Sequence, residues 1–222
     1  MKKLVKILAI FVILVIIIVI IVTLAKKNDK IVICIDAGHG GNDVGATSEN
    51  RYEKDDNLKV AKLVKQYLGN ENIGVVMTRD SDTTISLQER CKIANKKKAD
   101  LFVSIHRNSS EVGNGIEIWT SSNKKEKDVQ LATSILNKLS KTEIQTNRGI
   151  KYGTIKGENT NYYVLNNTKM PSCLIELGFI TDNQDNNLFD KNIKNYAKAI
   201  ADGIIEEIKR SNIWVKKRNL KF

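Results

Sequence analysis

The sequence predicts an α/β fold: a three-layer sandwich with a twisted, mostly parallel central sheet flanked by helices, preceded by one N-terminal transmembrane helix. Three observations predict it. Beyond residue 30, apolar runs of strand length alternate with apolar stripes at helical spacing. Before it, Ile7 to Ala25 run without a charge. The composition, 41% hydrophobic and 27% charged with 13 Gly and one Pro in 222 residues, is that of a folded chain. It excludes global disorder and collagen-like or low-complexity sequence. The chain divides into a membrane segment over 1–30, a folded domain over 31–210 and a basic tail over 211–222.

The uncharged stretch would span about 28 Å as a helix, matching a hydrocarbon core of about 30 Å. A cleavable signal peptide is the competing expectation. Its apolar part is usually shorter, about 7–15 residues, and Thr23-Leu24-Ala25 is a poor cleavage site. An uncleaved anchor is therefore favoured. Its orientation is not set by charge, because Lys2, Lys3 and Lys6 face Lys26, Lys27 and Lys30 across the span.

The first strand is Ile31–Ile35, an apolar run feeding the loop that starts at Asp36. Leu58, Ala61, Val64 and Leu68 then form a helical stripe. Strands follow at Gly74–Thr78, Leu101–Ile105 and Gly115–Trp119, with a helix between the first two over Leu87–Asn95. A second stripe, Val129 to Leu139, precedes the strand Cys173–Leu177. The longest stripe runs from Ile193 through Ile200 and Ile204 to Ile208. The net charge of +11 falls to +6 without residues 1–30, a solvated surface with some attraction for anionic lipid or wall polymer. No zinc-finger, helix-turn-helix or RNA-binding signature is present, so nucleic acid is not an expected partner.

The chain has two histidines, and both follow strands: His39 in the Gly-flanked loop after the first, His106 directly after Ile105. Sites in open α/β sheets form beyond the carboxyl ends of strands, so the two could meet at one point. Catalytic zinc takes three protein ligands and keeps one open position. Two histidines therefore need a carboxylate. Glu53 is the leading candidate, though it also reads as an N-terminal helix charge favoured by the macrodipole. Glu176 lies inside the apolar run Cys173–Phe179. Burying an unpaired charge is expensive, which marks it as a proton-transfer group.

These residues sit in motifs that occur in one order: Ile35-Asp-Ala-Gly-His-Gly-Gly41, Tyr52-Glu-Lys-Asp-Asp-Asn-Leu58, Thr78-Arg-Asp80, Leu87–Asn95, Ser104-Ile-His106, Arg148-Gly-Ile-Lys151, Met170-Pro171 and Ile175-Glu-Leu-Gly-Phe-Ile180. Together they resemble the zinc-dependent N-acetylmuramoyl-L-alanine amidases of the type 3 family, over about residues 31–208. The resemblance implies His39, Glu53 and His106 as Zn2+ ligands and Glu176 as the catalytic carboxylate. It also implies peptidoglycan as substrate, with hydrolysis of the amide between the lactyl group of N-acetylmuramic acid and L-alanine. One departure is Arg107, where the family usually has a small residue. Arg107 is expected either to contact a carboxylate of the peptide stem or to point to solvent. Arg90 reads as a structural ion-pair residue of its helix, and Lys151 has no assigned role. Cys34 and Cys173 read as buried small residues, able to form a disulfide only if their strands are neighbours; Cys91 lies on a helix.

An extracytoplasmic substrate would place the N-terminus inside and the domain outside. A bare domain behind one anchor, without wall-binding repeats, is similar to the germination-specific amidases of spore-forming bacteria. That similarity implies action on spore cortex, in the space between the two spore membranes, as the first step toward muramic-δ-lactam. It also points to a protein activator as a partner. The alternatives are a cell-separation or autolytic amidase, another zinc amidohydrolase of the wall, and a non-catalytic peptidoglycan-binding module.

Overall fold

The computed structural model describes residues 2–26, 31–69, 71, 73–157 and 159–213, and within 2–26 the side chains of 6–8 and 10–19. Helix α1 (Lys2–Lys26) exposes Ile7 through Val19 wherever side chains are described. Among the described residues, no helix is long and apolar enough to cross a membrane. The expected anchor lies in part outside the described residues, as does the tail from 214 onward.

The folded domain is built on six strands: β1 (Val32–Ala37), β4 (Gly74–Met77), β5 (Leu101–Asn108), β6 (Ile116–Thr120), β7 (Asn147–Tyr152) and β8 (Ser172–Phe179). They lie in the order β4-β1-β5-β8-β6-β7. Every neighbouring pair is parallel except β6 and β8. The sheet is therefore mixed and mostly parallel. A small antiparallel pair, β2 (Thr47–Ser48) and β3 (Arg51–Tyr52), sits in the loop before α2 (Glu53–Gly69).

Side chains alternate across the sheet. Ile33, Ile35, Val103, Ile105, Ile175 and Leu177 face one way, into the main core. There they meet α2, α4 (Glu126–Ser140) and α6 (Asn183–Arg210), whose buried stripes include Val64, Ile135, Ile200 and Ile204. Each such fully buried aliphatic side chain contributes about 1.5–3 kcal/mol of transfer free energy. On the other face, Cys34, Phe102 and Leu174 pack against α3 (Leu87–Lys96) and α5 (Tyr163–Asn167) through Cys91, Ala94, Val164 and Leu165. That second core is smaller, and it leaves Asp36, Ser104, His106, Glu117 and Glu176 on the same face of the sheet.

All five predicted strands are present. His106 lies inside its strand rather than beyond it, because β5 runs past its apolar run to Asn108, while Glu176 lies inside β8 as expected. Edge strand β7 carries no such run; Arg148 and Gly149 interrupt it, and its side chains are half-buried or exposed. The conditional disulfide does not form. β5 separates Cys34 from Cys173, the two thiols point to opposite faces of the sheet, and both are free.

Helices α4 and α6 cross closely at Gly203. A methyl group there would stand 2.5 Å from the Cα of Ile135. Gly203→Ala would gain about 1 kcal/mol in helix propensity, but the clash is with backbone, which cannot rotate away. We expect a net loss of about 1–2 kcal/mol, read as a lower urea midpoint at unchanged slope. An unchanged or higher midpoint would contradict the close crossing.

Candidate metal centre

The loop after β1 is held by two arginines. Arg90 on α3 pairs with Asp36 at 2.7 Å and donates to the carbonyls of Ala37 and His39. Arg79 donates to the carbonyls of Ala37, Gly38 and Lys54. Asp36 also accepts from Thr78 and Ser104, both within 2.7 Å. Burial alone would raise its pKa; the Arg90 charge and the hydroxyl donors outweigh burial and hold it below the usual carboxylate range. His39 takes φ +59°, left-handed backbone that a non-glycine residue rarely adopts. The Arg90 bond to its carbonyl secures that conformation.

Three side chains converge beyond this loop. His39 Nε2 lies 3.2 Å and His106 Nδ1 2.9 Å from the two oxygens of Glu53. Their donor atoms all fall within 4.8 Å of one another. Glu53 is the first residue of α2, and its carboxylate accepts from the backbone N–H of Ala46 and Arg107 and from Asn57. Burial would raise its pKa, but the bonds from His106 and His39 prevail and hold it well below the carboxylate range. Asp43 lies 2.8 Å from His39 Nδ1, which fixes the ring and leaves Nε2 toward Glu53. Burial lowers the His39 pKa, yet Glu53 and then Asp43 more than reverse this. Glycines make room: a Cβ on Gly38 would lie 2.2 Å from the His106 ring, and one on Gly45 2.6 Å from Glu53.

Two imidazoles and one carboxylate, with an open fourth side, are a donor set that fits catalytic zinc. The cluster opens into a cavity of about 520 Å³ whose walls include Glu176, Tyr162 and Ile155.

Glu176 stands directly across from His106 in the β5–β8 register and from Glu117 in the β8–β6 register. Its Oε2 has no hydrogen-bond partner among the described residues. Burial first, then the charges of Glu53 and Glu117, push its pKa well above the carboxylate range, and Arg107 opposes this only in part. A carboxyl whose folded pKa is raised adds stability that is complete below its unfolded pKa of about 4.3 and is lost as pH rises toward the folded value. Glu176→Gln cannot ionise. In metal-free protein its melting temperature should exceed that of the unmodified chain at pH 8 and match it near pH 4. Equal melting temperatures at both pH values would show that Glu176 ionises freely.

The structure thus brings together all four expected site residues. Arg107 is corrected on both counts: it neither lines the substrate side with its guanidinium nor reaches solvent. Alternation along β5 sends it to the face opposite His106, where it is fully buried. It pairs with Asp56 at 2.8 Å, donates to Asn186 and lies 4.3 Å over the Phe189 ring. Arg90 is structural, but its partner is Asp36 on β1 and not a residue of its own helix. Asp43, Asn57 and Arg79 were not foreseen. Asp43 had the only local signal, a carboxylate four residues after His39 in the same Gly-rich loop.

A family model described as N-acetylmuramoyl-L-alanine amidase matches residues 33–206. The YqiI protein of Bacillus subtilis is 36% identical over 178 residues, 79% of this chain and 82% of that one. Other curated relatives are longer: the chain spans 65% of one and 56% of another. Among solved structures, the catalytic domain of CwlV, an N-acetylmuramoyl-L-alanine amidase from Bacillus (Paenibacillus) polymyxa, is 36% identical with a TM-score of 0.73, covering 81% of this chain and 98% of that domain. The CwlD amidase of Clostridioides difficile, solved in complex with the GerS lipoprotein, is 27% identical with a TM-score of 0.74, covering 82% and 100%.

Proposed function

Because the chain belongs to the N-acetylmuramoyl-L-alanine amidase family, we propose that it hydrolyses the amide between the lactyl group of N-acetylmuramic acid and L-alanine in peptidoglycan. The observation that carries this is the buried carboxyl of Glu176, whose Oε2 has no hydrogen-bond partner among the described residues, set one strand from His106 beside the His39–Glu53–His106 cluster. His39, Glu53 and His106 would hold the zinc ion, and when bound it would supply Lewis-acid activation of the scissile carbonyl and of water. Glu176 takes a proton as water adds to the carbonyl carbon, then returns it to the alanine nitrogen as the carbon–nitrogen bond breaks. Its raised proton affinity suits both halves of that transfer. Asp43, Asn57 and the backbone donors to Glu53 hold the ligands in place, so little reorganisation accompanies the reaction.

The proposed setting is the spore cortex, with the N-terminal segment over 1–30 as an uncleaved anchor, the N-terminus inside and the domain in the space between the spore membranes. An anchored domain reaches only the wall made beside its membrane, and cortex is such a wall. Removal of stem peptides would then be the first step toward muramic-δ-lactam. A protein activator belongs to the same proposal, supported by the likeness to CwlD, which was solved with a lipoprotein bound. The rival is a cell-separation amidase: a deletion strain with normal lactam and chained cells would favour it, whereas normal division with lactam-free cortex supports the cortex role.

The chemistry is tested by mass spectrometry of peptidoglycan fragments after incubation with the zinc-loaded protein. Free stem peptides and peptide-free muramic acid are expected; intact muramoyl peptides would leave only a binding module. Glu176→Gln should retain zinc and lose about a hundredfold or more in rate. His106→Ala should lose both zinc and activity, and full zinc occupancy in that variant would remove His106 from the ligand set.

A further inference from the structure

We propose that a second groove, on the far side of Glu117 from the metal cluster, is the subsite for carboxylates of the departing stem peptide, with Arg148 and Lys151 as its cations. The inference rests on the amidase reading and adds where the peptide lies.

Residues 148 and 151 of a regular strand would point to opposite faces. In β7 they do not. The β6–β7 register shifts between Ile116 and Ile118, setting three steps of β7 (Asn147 to Ile150) against two of β6. Gly149 sits in this bulge with φ +84°. The extra residue brings Arg148 onto Glu117 and leaves Lys151 paired with Trp119, and both partners are on the face that carries Glu176. One cross-strand row therefore runs His106, Glu176, Glu117, Arg148 over four adjacent strands. Three strand spacings of about 4.8 Å separate the Arg148 and His106 backbones by roughly 14 Å, and the guanidinium reaches back as far as Glu117. The span is that of about three to four residues of extended peptide.

The groove has a volume of about 620 Å³ and adjoins the metal-site cavity, with Asn108 and Ile155 lining both. Glu117 is the acidic residue in its walls among those described, and it is already committed. It accepts from Asn108, Trp119 and, at 2.8 Å, Arg148 Nε. Arg148 lies 5.0 Å over the Phe179 ring and is more than a third exposed, so its orientation is fixed while part of the guanidinium faces the groove. Lys151 is half-buried and has no ion-pair partner among the described residues. A preorganised guanidinium and an uncommitted ammonium suit carboxylates, which stem peptides carry beyond L-alanine. The N-acetylated glycan is uncharged and offers such cations only neutral hydroxyl and amide oxygens.

The test compares two substrates on the zinc-loaded protein: a muramoyl tetrapeptide with free carboxylates, and the same molecule with the carboxylates of its third and fourth residues amidated. Lys151→Gln should lower kcat/KM about fivefold on the first, mostly through KM, and leave the second unchanged; Lys151→Arg should restore the loss. Equal loss on both substrates, or none on either, would overturn the subsite, and equal loss would place glycan there instead. Unchanged turnover of the amidated substrate also establishes that the variant is folded. Calorimetry with the free tetrapeptide separates this inference from its premise. If the unmodified protein cleaves neither substrate the amidase reading fails, while a Kd weakened by Lys151→Gln supports the subsite and an unchanged Kd overturns it.

Discussion

The Asp36–Arg90 ion pair underlies the rest of the site. Both groups are almost completely buried, and neither would be tolerable alone: breaking such a pair from one side costs about 3–5 kcal/mol, because the remaining charge has nowhere to go. Asp36 also ties β1 to β4 through Thr78 and to β5 through Ser104. Arg90, once neutralised, also donates to the carbonyls of Ala37 and His39, and Arg79 adds three more bonds from the neighbouring strand end. One of these reaches Lys54, the second residue of α2. The same two guanidinium groups therefore place His39 and the start of the helix that carries Glu53. A left-handed histidine persists here because its surroundings over-determine it.

Three carboxylates lie on this face within apolar strands, and their partners separate their roles. Asp36 has Arg90 and two hydroxyl donors. Glu117 has Arg148, Asn108 and Trp119. Among the described residues, Glu176 forms no ion pair with a cation, and one of its oxygens has no donor. The first two are charges made tolerable by pairing; the third keeps a strong affinity for a proton. Burial without compensation is destabilising, so it is informative where it survives. The contrast also explains why Glu176 faces Glu53 and Glu117 rather than an arginine: a guanidinium in contact would lower its pKa and leave it a poor proton carrier.

The same contrast marks what was legible in the sequence. Strands β1, β5, β6 and β8 and helices α2, α4 and α6 were readable because each buries a continuous run or stripe. Edge strand β7 and the short helix α5 bury too little to leave a pattern, and a bulge breaks the alternation of β7. The four central site residues were readable from two scarce histidines, a helix start and a lone glutamate in an apolar run. That last signal is ambiguous by itself. It marks Asp36 and Glu117 equally well, and only the tertiary partners, 54 and 31 residues away in sequence, separate paired from unpaired. Asp43, Asn57 and Arg79 were out of reach for the same reason: polar loop and helix residues gain their roles from what the fold brings next to them.

Arg107 shows how strictly strand alternation assigns such roles. Adjacent to His106 in sequence, it appeared well placed to meet substrate, yet neighbours on a strand face opposite ways and it is lost to the helix layer. There Asp56, shared with Arg51, compensates the charge, Phe189 covers the guanidinium plane and Asn186 takes a remaining donor, so a large cation stands within the helix layer. Its backbone N–H still supports Glu53. What the side chain does is join α2, β5 and α6 behind the cluster, which ties the first turn of α2 to the sheet independently of the loop held by Arg79 and Arg90. Substrate preference must then come from residues sharing the face of His106. Across four strands those are Glu176, Glu117 and, because Gly149 permits a bulge, both cations of β7.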